Sequence, residues 1–204
     1  MDEQYFSDSS PASADEIRTI EVSARGFALS MRVSSRVFSG SKLDLGTRQL
    51  LEIAPDLPDG GTFLDLGCGW GPIATIMSLE SPHAAVWAVD VNSRAVDLTQ
   101  RNAQSNGATG VRALKAEEAL AVSQESDTHF DVIWSNPPVR IGKDAMHEML
   151  LAWLSRLAPT GVAYLVVQRN LGADSLITWL SGQGYQASKY ASKKGFRIIE
   201  VRPA

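Results

Sequence analysis

The chain has 204 residues, of which 44% are hydrophobic, so it is long enough and apolar enough to bury one ordinary core. Its formal net charge of −4 argues against a protein that binds nucleic acid through overall charge, but it does not exclude a local basic patch. The single cysteine excludes an intrachain disulfide, and neither a signal peptide nor an apolar run of membrane-spanning length is recognisable, so we expect a cytoplasmic globular protein.

The first 58 residues are predicted to form an N-terminal segment that precedes the main domain. It begins with a polar, serine-rich stretch and continues with two short alternating patterns around Arg25-Gly26, which is typical of a β-hairpin. Asp44 then caps a helix that Pro55 and Pro58 end. The predicted order is an arm over 1–16, strands over 17–22 and 27–33, a loop over 37–44, and a helix.

From Gly61 onward, short apolar strands alternate with helical patterns, which predicts an α/β fold for residues 59–204. The fold class we expect is a doubly wound, mostly parallel, seven-stranded sheet with an antiparallel C-terminal hairpin and the small N-terminal β-hairpin. The predicted strands are 62–66, 85–89, 111–114, 132–134, 162–167, 184–190 and 196–201, and the predicted helices are 72–79, 93–105, 144–157 and 171–183.

A glycine-rich loop, Asp65-Leu66-Gly67-Cys68-Gly69-Trp70-Gly71, lies at the first strand-to-helix turn of this domain. Glycines let the backbone turn sharply and approach a ligand closely. The spacing Gly-x-Gly-x-Gly differs from the dinucleotide fingerprint, and the Asp65 carboxylate would repel a pyrophosphate. The same carboxylate accepts a hydrogen bond from a cationic amino group, so the loop favours a methionine-derived sulfonium nucleoside over NAD.

Two further acidic residues follow the next two predicted strands. Asp90 ends the second strand, near the spacing at which an acidic residue receives ribose hydroxyls. Glu117 follows the third strand, where a polar group reaches an adenine amino group, but it equally fits the first turn of a helix.

The tetrapeptide Asn136-Pro137-Pro138-Val139 follows an apolar strand over 130–135. Its two prolines fix φ and remove two N–H donors, so we expect backbone carbonyls without local donors beside the Asn136 side-chain oxygen. Acceptors grouped in this way grip an exocyclic NH2. The tetrapeptide is therefore a candidate site for chemistry on an exocyclic NH2. This chemistry requires no metal, and the three histidines lack metal-ligand spacing.

Taken together, these motifs resemble the class I S-adenosylmethionine-dependent methyltransferases, which have a Rossmann-like sheet. The chain is most similar to the small-domain group that contains the 16S ribosomal RNA guanine-N2 methyltransferase C family. The most specific stretches are Val37-Phe38-Ser39, 65–71, 136–143, Val166-Val167-Gln168 and Lys194-Gly195-Phe196-Arg197.

The resemblance implies S-adenosyl-L-methionine as cofactor and ribosomal RNA as partner and substrate, with guanine N2 as the target atom. It implies cofactor contacts from Asp65, Gly67, Gly69, Asp90, Glu117 and Asn136. It also implies that Asn136 and the Pro137 carbonyl are the catalytic groups, which accept the two N–H bonds of the target amine while its nitrogen attacks a methyl group.

Two features of this chain depart from many members of the family. Many relatives have an aromatic residue in place of Val139, which stacks on the target base. Here the stack must come from elsewhere, with Phe38, Trp70 or Phe196 as candidates, although each of them fits a core position better. The duplicated N-terminal domain of the ribosomal enzymes is reduced to the arm and hairpin. The predicted substrate-binding residues are Phe38, Pro138, Val139, Arg140 and Phe196, with Arg140, Lys143 and Arg197 as candidates for the RNA backbone.

Three alternatives stay open from the sequence. One is a methyltransferase for a protein glutamine amide, whose members usually carry Tyr after the prolines and a helical N-terminal domain. Another is a DNA or small-molecule amine methyltransferase. The third is a non-catalytic module that binds S-adenosylmethionine or RNA.

Overall fold

The structure is a computed structural model that describes residues 16–204, so the predicted arm lies outside it except for Glu16. This part of the chain forms nine strands and six α-helices. The strands are β1 (Ile17–Ala24), β2 (Phe27–Ser34), β3 (Gly60–Leu66), β4 (His83–Asp90), β5 (Val111–Lys115), β6 (Phe130–Ser135), β7 (Leu157–Gln168), β8 (Gln186–Lys193) and β9 (Phe196–Arg202). The helices are α1 (Leu45–Ile53), α2 (Pro72–Glu80), α3 (Ser93–Ser105), α4 (Ala116–Glu125), α5 (Lys143–Leu154) and α6 (Ala173–Gly182).

Seven strands form one sheet in the order β5-β4-β3-β6-β7-β9-β8, and β1 and β2 form a separate two-stranded sheet. All seven run parallel except β9, which is antiparallel to both of its neighbours. The chain moves outward from β3 in one direction and then outward from β6 in the other. The carboxyl ends of β3 and β6 therefore flank the topological switch point, where open α/β sheets bind their ligands. The predicted doubly wound fold is confirmed.

The sheet is covered on both faces, which explains why its central strands are apolar at almost every position. One face packs Phe63 and Trp134 against the hairpin, α1, α2 and α3. The other face packs Leu64 and Ile133 against α4, α5 and α6. No helix in the described part of the chain is long and apolar enough to span a membrane.

Asn102 of α3 and Asn106, the C-cap residue of that helix, attach the N-terminal hairpin to the main domain. The Asn102 amide bonds to both the N–H and the C=O of Arg32 at 2.7 and 2.8 Å, and the Asn106 amide bonds to both groups of Ser30 at 3.0 Å each. A helix rises by about 6 Å over four residues, and a strand advances by about 6 Å over two. The spacing of Asn102 and Asn106 therefore matches the spacing of Arg32 and Ser30 on β2. Asn102 also donates to the carbonyl of Trp70 at 2.7 Å, which connects the hairpin to the glycine loop.

Several predicted element boundaries are wrong, and one helix was missed. The helix expected over 144–157 ends at Leu154, and Pro159 lies inside β7 at an exposed bulge where the pairing with β6 shifts, so its missing N–H costs nothing. The helix expected over 171–183 begins at Ala173, because a short 3-10 turn precedes it. Helix α4 was not predicted, and its weak apolar pattern explains why, since only two of its side chains are fully buried.

Candidate active site

A cavity lies at the switch point, next to the carboxyl ends of β3 and β6. Its walls come from the loop that precedes α1, from the glycine loop and from Asn136. The Ser135 hydroxyl donates to the Leu66 carbonyl at 2.7 Å and joins the ends of β6 and β3. The strand ends therefore form a fixed floor beneath the cavity.

The glycine loop depends on left-handed backbone at three positions, with φ of +80° at Gly67, +58° at Gly69 and +88° at Gly71. A Cβ on Gly71 would lie 2.9 Å from the Thr99 side chain, so α3 can pack there only on a glycine. A Cβ on Gly67 or Gly69 would meet no atom within 4 Å. These two glycines thus leave open space on the cavity side, as close approach of a ligand to the backbone requires.

Asp65 is fully buried at the end of β3. Its Oδ2 accepts a bond from the Ala74 N–H at 2.9 Å, in the first turn of α2, while its Oδ1 has no partner within the described chain. Burial raises the pKa of Asp65 to about 8; the bond from Ala74 opposes this shift and the Asp90 carboxylate adds to it. An unpartnered, buried carboxylate oxygen suits a cationic ligand group, and an ammonium fits that requirement.

Asp90 lies at the end of β4, beside the glycine loop. Its two oxygens accept bonds from the N–H groups of Gly69 and Asn92, each at 2.9 Å. Burial raises the pKa of this carboxyl as well. Each oxygen keeps further acceptor capacity, so the bonds hold the carboxylate in place and still leave it able to receive ribose hydroxyls.

Glu117 lies at the far edge of this group, on the exposed first turn of α4. It follows Lys115, which pairs in register with Asp90. The position is compatible with both roles expected for it, an adenine contact and a favourable interaction with the helix dipole.

Asn136 is half-buried and lies against the first turn of α1. Its Nδ2 donates to Asp44 Oδ2 at 2.8 Å and to Thr47 Oγ1 at 3.0 Å. Asp44 is also the N-cap of α1 and accepts from the Thr47 N–H at 3.0 Å. Sequence reasoning identified Asp44 only as a cap and missed Thr47, since nothing in the local pattern shows which strand end α1 will face.

The expectation that the prolines leave their carbonyls without local donors is wrong. The Pro137 carbonyl accepts from the Val139 N–H at 2.8 Å, and the Pro138 carbonyl accepts from the Ile141 N–H at 3.1 Å. The chain turns so tightly after β6 that donors two and three residues ahead reach back. A carbonyl has two lone pairs, so Pro137 keeps one site for a further donor.

The three aromatic candidates for a stacking surface differ sharply in exposure. Phe38 is 57% exposed and lines the cavity, whereas Trp70 is 2% exposed and belongs to the core. Phe196 is half-buried and lies against Gly46, where a Cβ would come within 3.1 Å of its ring. Val139 packs against the apolar layer below α5. Phe38 is thus the candidate whose ring is free to contact a ligand.

The cations expected near the site also fall into two groups. Arg140 and Lys143 are exposed and form no ion pair with the described residues. Arg197 is bonded to Asp174 at 3.0 Å and its side chain is only 17% exposed. Arg169, which sequence reasoning missed, is exposed at the carboxyl end of β7 and likewise has no ion pair within residues 16–204.

Comparison with known proteins yields relatives of two kinds. The protein named YbxB of Bacillus subtilis is 31% identical over 99% of both chains. The ribosomal RNA small subunit methyltransferase C of Chromohalobacter salexigens is 31% identical over 81% of this chain, which spans only 49% of that relative's length.

A solved structure supports the same fold. The 16S rRNA N2 G1207 methyltransferase of T. thermophilus, in complex with AdoMet and guanosine, superposes with a TM-score of 0.73 at 23% identity, over 97% of this chain and 53% of its own. The model of the methyltransferase small domain family matches residues 28–200. The resemblance inferred from the sequence is therefore confirmed, and the chain belongs to the methyltransferase small domain family.

Proposed function

We propose that this protein transfers a methyl group from S-adenosyl-L-methionine to the exocyclic amino group of a nucleobase, guanine N2 in ribosomal RNA. The observation that carries the proposal is the Asn136 amide, whose nitrogen is occupied by α1 and whose oxygen faces no donor in the described chain. An oriented acceptor beside a glycine loop suits a substrate that presents N–H groups.

The cofactor half of the site is assigned to the ends of β3, β4 and β5. Asp65 Oδ1 would accept the ammonium of the methionine moiety, and Asp90 would receive the ribose hydroxyls. Gly67 and Gly69 would let the ligand lie against the backbone, and Glu117 would reach the adenine. When bound, S-adenosylmethionine supplies an electrophilic methyl group on sulfonium sulfur.

The catalytic groups would be Asn136 and Pro137. In an aromatic amine the lone pair is delocalised into the ring. Asn136 Oδ1 and the Pro137 carbonyl would accept its two N–H bonds, which favours a tetrahedral nitrogen and stabilises the positive charge that develops during attack. Because Asn136 is held before substrate arrives, little reorganisation is needed at the moment of reaction. The excess proton leaves the nitrogen for solvent after transfer.

The substrate half would come from residues 1–58, from the loop that follows β6 and from the start of β9. Phe38 would stack on the target base in place of the aromatic missing at Val139, beside Pro138 and Phe196. Arg140 would contact the RNA backbone, and the target base must be single-stranded or extruded from its stack. The main domain, 59–204, would then hold the cofactor, and a ribosomal substrate implies work in the cytoplasm.

The test compares three acceptors with the same labelled cofactor: assembled 30S subunits, naked 16S ribosomal RNA and a purified release factor. We expect label in RNA and none in protein. Label in the release factor alone would show a glutamine methyltransferase instead. Isothermal titration with S-adenosylmethionine checks the cofactor separately, and an absence of binding at millimolar ligand would contradict every methyltransferase version.

A further inference from the structure

The first turn of α1 forms a seat for the Asn136 amide. Two acceptors, Asp44 Oδ2 and Thr47 Oγ1, receive its Nδ2 at 2.8 and 3.0 Å. Gly46 completes the seat, because a Cβ there would lie 3.0 Å from Asp44 Oδ2 and 3.4 Å from Asn136 Nδ2. The seat therefore has a carboxylate, a hydroxyl and a position where only the smallest residue fits comfortably.

The seat fixes which end of the amide points away from α1. If the amide turned over, its oxygen would face the Asp44 carboxylate, and two oxygens would stand at hydrogen-bond distance with no proton between them. Asp44 Oδ2 also accepts from the Thr47 N–H at 3.0 Å, so the carboxylate is itself held by the start of the helix. The amide orientation is therefore a consequence of chemistry and not only of shape.

We propose that Asp44 and Thr47 are positioning residues for methyl transfer, which lock the Asn136 amide with its oxygen directed to the incoming amine. This inference rests on the proposed function and adds two residues to its mechanism. Both act through Asn136. Without them the Asn136 amide could adopt either of its two orientations. In the wrong one its NH2 group would face the N–H groups of the incoming amine and repel them.

Three substitutions, used as one double variant and one control, separate this role from simple support of the helix. Asp44→Ser keeps an N-cap oxygen but is too short to reach Asn136, and Thr47→Val removes the hydroxyl with little change of shape. Asp44→Asn is the matched control. Because one oxygen serves both Thr47 and Asn136, an asparagine at 44 must place its own oxygen there and so keeps the lock.

The kinetic result expected for Asp44→Ser/Thr47→Val is a fall in kcat of about tenfold, in line with the loss of a hydrogen bond to a charged group. The KM for substrate and the affinity for S-adenosylmethionine should stay near their wild-type values, and Asp44→Asn should retain most of the turnover. Unchanged kcat in the double variant would overturn the proposal. So would equal losses in the double variant and in Asp44→Asn.

A second readout needs no substrate and therefore decides the orientation even if the RNA assignment fails. The side-chain NH2 resonances of Asn136, identified in a ¹⁵N-labelled protein by their absence from Asn136→Ala, should lie away from those of a solvated amide. They should move toward solvated values in Asp44→Ser/Thr47→Val and hold their place in Asp44→Asn. Asn136 NH2 resonances at solvated values in the wild type would contradict the proposed orientation of this amide. If the wild-type protein shows the shifted Asn136 resonances but methylates no RNA, the orientation stands and the proposed substrate is wrong.

Discussion

The two halves of the site are built in contrasting ways. The cofactor half is enclosed: Asp65 is fully buried, and backbone N–H groups of Gly67 and Cys68 donate to the Val89 carbonyl at 2.9 and 3.0 Å. The substrate half is open: Phe38 is 57% exposed, and Asn136 is oriented by side chains at the start of α1.

The difference matches the proposed molecules. A small donor is held best by a closed loop with one unpartnered buried oxygen, because the contact with that oxygen is then shielded from water and strong. A large acceptor such as RNA has to dock on an open face and insert one base, so its contacts come from exposed rings and cations. Changes in the closed half should therefore alter cofactor affinity, and changes in the open half should alter turnover and RNA affinity.

Replacing Asn136 by Ala should have the largest effect on turnover. Loss of one oriented acceptor should raise the barrier by at least about 2.7 kcal/mol, which is about 100-fold in kcat. Affinity for S-adenosylmethionine should change little. Asn106→Ala is the matched control: it removes the amide that holds Ser30, so it should lower the melting temperature but not kcat in the folded protein. Near-native turnover of Asn136→Ala would disprove the assignment.

Replacing Asp65 by Asn should weaken cofactor binding in the closed half. Loss of a charge-assisted bond should weaken S-adenosylmethionine binding by about 10- to 150-fold, measured by isothermal titration. The Asp65 pKa of about 8 lies above that of an unfolded aspartate, so the wild type loses stability as pH rises from about 4 to about 8.

The variant lacks this pH-dependent destabilisation. Without cofactor, its melting temperature relative to that of the wild type should therefore rise as the pH rises from about 4 to about 8. Glu125→Gln, at an exposed position with no ion pair among the described residues, serves as control because it should change neither quantity. A stability difference that does not vary with pH would mean that Asp65 is already ionised in the folded protein.

Replacing Phe38 by Ala should weaken the binding of RNA to the open half and leave cofactor binding unchanged. Base stacking contributes about 1 to 3 kcal/mol, so the KM for RNA should rise by roughly 5- to 150-fold while cofactor affinity holds. Phe38→Trp keeps a stacking face and should stay close to the wild type. If Phe38→Ala and Phe38→Trp behave alike, the base is stacked elsewhere.

The exposed cations should give the smallest effect. Arg140→Ala/Lys143→Ala should weaken RNA binding a few-fold and lower the slope of log affinity against log salt by about 0.7 for each phosphate that the variant no longer neutralises. Arg101→Ala is the control, because Arg101 already pairs with Asp97 at 3.0 Å. An unchanged salt slope would exclude Arg140 and Lys143 from the RNA path.

The closed half was more predictable from the sequence than the open half. Asp65, the glycines and Asp90 follow strand ends in chain order, so the strand pattern alone brings them together. The seat of Asn136 depends on α1 crossing from the N-terminal segment, and no local pattern contains that contact.

Two other misses have local causes. Pro159 suggested a break before the last central strand, but a bulge accommodates it inside β7. The tight turn after β6 gave the Pro137 carbonyl a donor that the missing proline N–H groups seemed to exclude.

The most direct test of the central claim is the identity of the methylated atom. Ribosomal RNA treated with the protein and S-adenosylmethionine should be digested to nucleosides and analysed by mass spectrometry against standards. We predict N2-methylguanosine in the wild-type reaction and its loss with Asn136→Ala. A methyl group on a ribose hydroxyl or a carbon atom, formed equally well by Asn136→Ala, would contradict the account.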